Sequence, residues 1–154
     1  MEKIHHESTR WKQWKRDQVT ALVREIKAKA LSIHPGILVS TTGLVSYLRA
    51  SQEAFQDWRF WVRENIVDFV TLMDYTHEDT ERFKRCIRDA VHQLGDLKKV
   101  NIAVGSYKLI ENPQVFREQW EACEESGSRG CVLFHYGDML ENPELAKPLL
   151  DHKK

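Results

Sequence analysis

Four short runs of apolar and β-branched residues recur along this chain about every 30 residues: Ile37 to Thr42, Val67 to Met73, Val100 to Gly105 and Cys131 to His135. That interval is the length of a β-α-β unit. Each run is continuous rather than alternating, the pattern of a strand covered on both faces. Strands so spaced pair in parallel through crossovers that are right-handed.

Helical patterns fill the gaps. From Thr9 to Leu31 the apolar positions Trp11, Trp14, Leu22, Val23, Ile26 and Ala30 recur at three and four residues, and His34-Pro35-Gly36 stops the pattern. A second helix is expected over residues 52–65, with Phe55, Trp58, Phe60, Trp61 and Val62. A third opens with Thr76 and Asp79 at capping-box spacing, carries Phe83, Cys86, Ile87, Ala90, Val91 and Leu94 on one face, and ends at Gly95. Asn112-Pro113 and Asn142-Pro143 each place a side-chain cap before a proline, so helices are expected from there through Trp120 and Leu149.

The order α-β-α-β-α-β-α-β-α over 154 residues reads as one α/β domain, residues 1–154, large enough to bury a core. Two architectures satisfy it: an open doubly wound sheet, or half of an eight-stranded barrel. Periodicity does not separate them.

Lys+Arg and Asp+Glu both total 23. That balance gives no footprint for nucleic acid or an anionic membrane, whose binders cluster basic charge. No apolar run is long enough to span a bilayer, and MEKIHHESTR lacks the apolar stretch of a signal peptide, so the residues do not define a location. Cys86, Cys123 and Cys131 are odd in number and without CxxC spacing, and are expected to act as small core hydrophobes. His5-His6 is a solvated pair with no second cluster at metal-ligand spacing, so neither metal nor cofactor is expected. Gly127-Ser128-Arg129-Gly130 precedes its strand and faces away from the functional end, which excludes a phosphate loop.

Several segments together resemble one family. Trp11-Lys12-Gln13-Trp14-Lys15-Arg16, Phe55-Gln56-Asp57-Trp58-Arg59-Phe60-Trp61, Val67 to Thr76 (VDFVTLMDYT) and Gly130 to Gly137 (GCVLFHYG) are similar to the last four units of the glycosyl-hydrolase-like family 10 barrels. There a "QDW..W" helix precedes a strand ending in "M.YT" or "Q.YW", and the final strand ends in "F.YG". The resemblance implies four parallel βα units forming the C-terminal half of a (β/α)8 TIM-type barrel, from exported or cell-envelope proteins of bacteria that act on glycans such as peptidoglycan. A whole barrel takes roughly 250 residues, so the first four strands are absent here.

In such barrels the reactive groups project from the C-terminal ends of the strands. By the expected strands these ends hold Ser40, Thr41 and Thr42, then Met73, Asp74 and Tyr75, then Ser106, Tyr107 and Lys108, and last His135, Tyr136 and Asp138. Tyr75, Tyr107 and Tyr136 offer flat faces with a hydroxyl at one edge, suited to sugar stacking, or else they plug the barrel mouth. His135 offers a sugar hydroxyl a donor, unless it is a core histidine. Ser40 and Thr42 complete the expected sugar-contacting set.

Glycoside hydrolysis needs two flanking carboxyl groups. Asp74 is the one catalytic candidate carried forward, with a structural role as its rival because alternation turns it toward the helix layer. Glu111 and Asp138 sit in loops, and no complete dyad is visible. The expected partners are a polysaccharide or oligosaccharide, with either a second copy or a missing N-terminal half to cover the open edges.

Overall fold

The computed structural model describes residues 8–76 and 78–151. Helix α1 (Thr9–Ile33) leads into β1 (Ser40–Leu44), which is followed by α2 (Tyr47–Gln52), α3 (Trp58–Arg63) and β2 (Phe69–Asp74). Then come α4 (Thr80–Leu94), β3 (Val100–Gly105), a 3-10 turn (Ser106–Lys108), α5 (Pro113–Glu125) and β4 (Gly130–Phe134). The chain closes with α6 (Gly137–Glu141), a 3-10 turn (Pro143–Ala146) and α7 (Lys147–Asp151).

All four strands are parallel and lie in chain order, β1-β2-β3-β4. A doubly wound sheet reverses its strand order at a switch point, and this sheet has none. The helices gather on one face, where Val70, Leu72, Val100, Ile102 and Val104 are sealed against Trp58, Trp61, Phe83, Ile87 and Phe116. Each such side chain contributes about 1.5–3 kcal/mol by leaving water. Sequential parallel strands with helices to one side are consistent with half of a barrel.

The opposite face corrects the expectation of strands covered on both sides. Only β3 is buried throughout, while β2 alternates and the edge strands β1 and β4 are partly exposed. Alternation appears because no helix of the described residues covers the second face.

Local chemistry explains the helix ends. Ser8 accepts from the Trp11 N–H at 3.2 Å to open α1, and Gly95 at φ +90° ends α4. The cap of α4 is Asp79 itself, accepting from Arg82 N–H at 2.7 Å; Thr76 lies buried outside the helix, so the expected capping box is not formed. The expected helix over 52–65 shrinks to α3: α2 ends at Gln52, Phe55 takes a left-handed φ of 56°, and Asp57 caps a new start. α5 does begin at Pro113, but the Asn112 amide donates to Glu78 at 3.0 Å instead of capping. Asn142 caps only a 3-10 turn, accepting from Glu144 N–H at 3.1 Å.

α1 is tied to α3 and to the entry of β2 by polar bonds, and to the core by Val19 and Val23. Lys27 pairs with Asp68 at 2.9 Å, and the Trp61 indole donates to Thr20 at 2.9 Å. The Val39 N–H, followed by Lys27, holds the Asp68 carboxyl below its ordinary range.

Cys123 and Cys131 overturn the reading of three unpaired core cysteines: they form a disulfide joining α5 to β4, with Cα atoms 6.1 Å apart. The spacing of eight residues gave no CxxC signal, and the pair meets because α5 folds back onto the strand that follows it. Cys86 alone remains free. Closing so short a loop restricts the unfolded chain by about 2.5 kcal/mol. The Cys123→Ala/Cys131→Ala variant is therefore expected to lose about that much in urea unfolding, and an unchanged midpoint would return both sulfurs to the role of plain hydrophobes.

Candidate functional site

The C-terminal ends of β2, β3 and β4 carry three aromatic rings in mutual contact. Tyr75 follows β2, Tyr107 sits in the 3-10 turn after β3, and Phe134 is the last residue of β4. Tyr75 and Phe134 stack with centroids 5.2 Å apart and planes 19° from parallel. Tyr107 meets both edge-on, at 5.8 Å and 6.1 Å. A Cβ at Gly105 would stand 3.0 Å from the Tyr75 Cβ, so glycine at the end of β3 lets the ring lie across it.

The cluster is anchored yet open. The Lys108 ammonium donates to the Tyr75 carbonyl at 2.9 Å and stands 5.7 Å from the Tyr107 centroid. Tyr107 remains 41% exposed and Phe134 47%. Burial, then the neighbouring Tyr107, pushes the Tyr75 phenol above its ordinary value, so its hydroxyl keeps its proton and its donor at neutral pH.

Beside the rings lies a polar knot, buried at Ser106 and Asp138 and open at the His135 ring. The fully buried Ser106 hydroxyl donates to Asp138 Oδ2 at 2.5 Å, and the His135 N–H donates to the same oxygen at 2.9 Å. His135 Nδ1 accepts from the Gly137 N–H at 3.1 Å, which places its ring proton on Nε2, 3.4 Å from Asp138 Oδ1. Both ring nitrogens thus face protein groups. Asp138 shapes the turn out of β4 and orients the imidazole.

Asp74 belongs elsewhere. It is fully buried on the helix side of the sheet, between β2 and α4, with neither carboxyl oxygen hydrogen-bonded. The Cys86 thiol of α4 lies beside it. Burial pushes the carboxyl up to about 7, against smaller opposing effects of Cys86 and Arg82, and the thiol in turn up to about 11.

Of the residues expected at the functional end, the structure unites Tyr75 and Tyr107, with His135 beside Phe134 at 5.7 Å. Tyr136 is 70% exposed and stands outside the ring cluster. Ser40 and Thr42 are displaced: β1 runs from 40 to 44, so Ser40 pairs with Phe69 at the start of β2 and Thr42 with Thr71 in mid-strand. The shift arises because Ile37 and Leu38 stay outside the strand, exposed, while Gly43 and Leu44 take the positions against Trp58. Phe134 was missed, although alternation from Val132 would have placed it on the open face. Among the described residues no group of three or more His, Cys, Asp or Glu side chains is disposed to hold a metal ion, and no helix is long and apolar enough to cross a membrane.

The three rings stand at the carboxyl ends of parallel strands, the end at which barrels of parallel strands carry their reactive groups. The family model of glycosyl hydrolase-like 10 matches residues 3–122, and the chain belongs to that family. The match takes in β1 through most of α5 and ends before β4. No curated protein and no solved structure matches the chain.

Proposed function

We propose that this glycoside hydrolase-like domain engages glycan chains of the bacterial cell envelope at its aromatic mouth, as half of a (β/α)8 barrel. The observation that carries the reading is the Tyr75, Tyr107 and Phe134 cluster at the strand ends of a chain from this family. Sugars present apolar C–H faces rimmed by hydroxyls, and exposed rings beside a phenol donor and the Lys108 ammonium match that chemistry.

Cleavage is a separate matter. Hydrolysis needs an acid and a second carboxylate flanking the bond. Asp74 is sealed on the helix side, and Asp138 is buried in bonds to Ser106 and His135. That favours sugar binding over cleavage by these four units.

The test is a titration of the chain with a β-linked envelope oligosaccharide, followed by aromatic NMR signals and by product release. Tyr75 and Tyr107 signals are expected to move without hydrolysis. Tyr75→Ala should weaken binding at least about tenfold, the loss of one stacking contact, while Tyr136→Ala stays near the parent value. Undisturbed Tyr75 and Tyr107 signals at saturating sugar would sink the reading.

A further inference from the structure

The sheet ends on two strands whose outer edges pair with nothing among the described residues: β1 pairs only with β2, and β4 only with β3. Open parallel edges leave backbone donors and acceptors unused and invite another chain. What lies beside each edge is specific.

At the β1 edge, α1 exposes Leu22, Ile26 and Ile33 at 56%, 52% and 73%. Their spacing puts them on one stripe, with Lys29 among them, while Val19 and Val23 turn to the core. Ile37 and Leu38, in the loop entering β1, prolong this apolar surface. At the β4 edge, a groove of about 550 Å³ runs between α5 and β4, lined by Trp120, Glu121, Glu124, Glu125, Gly130 and Cys131.

Stripe and groove sit at the same level of the fold. Each involves the C-terminal part of a helix that precedes its strand, near that strand's first residues. α5 packs on both strands it connects. α1 is held at the entry of β1, where Lys27 pairs with Asp68 and Asp68 accepts from the Val39 N–H, and its outer stripe is left for a neighbour. A unit set beyond β4 and beginning with such a helix would lay apolar side chains on Trp120 and a lysine among glutamates.

We propose that a second copy of this chain occupies both edges, β1 of each copy pairing in parallel with β4 of the other. The two-fold axis runs along the barrel, so every strand keeps its direction and both edges are satisfied at once. Four strands from each copy make eight, the number at which a parallel barrel closes with its interior filled by side chains. The Leu22, Ile26 and Ile33 stripe of each copy fills the Trp120 groove of the other, and Lys29 meets Glu121 and Glu125. The inward-facing Phe69, Met73, Val132 and Phe134 then share a common interior. Each aromatic mouth faces its copy across the barrel, so the site is complete only in the pair.

Sedimentation equilibrium of the full chain tests this without any sugar. The expected mass is twice 18.1 kDa. Ile26→Glu/Ile33→Glu is expected to weaken the dimer about 100-fold by placing charges in a desolvated contact, and Lys29→Glu about tenfold. These side chains are exposed, so the far-UV circular dichroism of the variants should stay that of the parent; Leu22→Lys serves as a second disrupting variant. A mass of 18.1 kDa at every concentration overturns the proposal. So does a dimer indifferent to Ile26→Glu/Ile33→Glu, or a monomer that pairs only with a different polypeptide.

Discussion

Asp74→Asn is expected to make this protein more stable at pH 8 by as much as about 4 kcal/mol, and to leave it nearly unchanged at pH 4. The carboxyl is fully buried without a hydrogen bond, and burial raises it to about 7 from an ordinary 3.8. Well below pH 4 the group is neutral in both folded and unfolded chains and carries no pH-dependent term. As pH rises from about 4 to 7, the unfolded chain gives up the proton while the folded one holds it, so stability falls with pH over that window and levels off above it. A shift of about three units corresponds to about 4 kcal/mol. The amide cannot ionise, so the slope between pH 4 and 7 should vanish from the urea-unfolding stability of the variant. A parent whose stability is flat over that window would show that the carboxyl is ionised and solvated, and would reopen its candidacy as a catalytic nucleophile or base.

Trp58→Ala is expected to remove about 3–5 kcal/mol, enough to leave the domain marginal. Trp58 is fully buried, its indole donates to the Leu44 carbonyl at 3.0 Å, and its ring meets Tyr47 edge-on at 5.2 Å. A Cβ at Gly43 would come within 2.8 Å of the Trp58 Cδ1, so the strand and the ring are fitted to each other. Truncation opens a cavity and orphans the Leu44 carbonyl together. Trp58→Phe should fall between, keeping most of the ring and losing the donor. Urea midpoints of the two variants decide the matter: a loss below about 1 kcal/mol for the alanine variant would mean that β1 is held mainly by its pairing with β2.

The helix over 52–65 shows how legibility fails locally. Its apolar content is high, yet Phe55 at positive φ and Asp57 as a new cap divide the segment, because Trp58 and Trp61 must both reach the core from a short crossover. Asp79 shows a milder failure. The residue was recognised, but its place as cap rather than third helical residue depended on Thr76 staying buried at the end of β2. At the mouth, Tyr75 and Tyr107 were legible because each immediately follows a strand run, whereas Phe134 looked like ordinary strand material. Ser40 and Thr42 were misplaced by reading Ile37 and Leu38 as the apolar start of β1.

The sequence by itself determined four strand and helix units, their parallel pairing, the starts of α1 and α5, the end of α4 and the residues that end β2 and β3. These follow from periodicity and capping, which act over a few residues. Only the tertiary structure decided the register of β1, the pairing of Cys123 with Cys131, and the face left uncovered. Each of those depends on which distant groups meet, as Gly43 meets Trp58 and Ser106 meets Asp138, and contacts between elements leave no periodic trace in the chain.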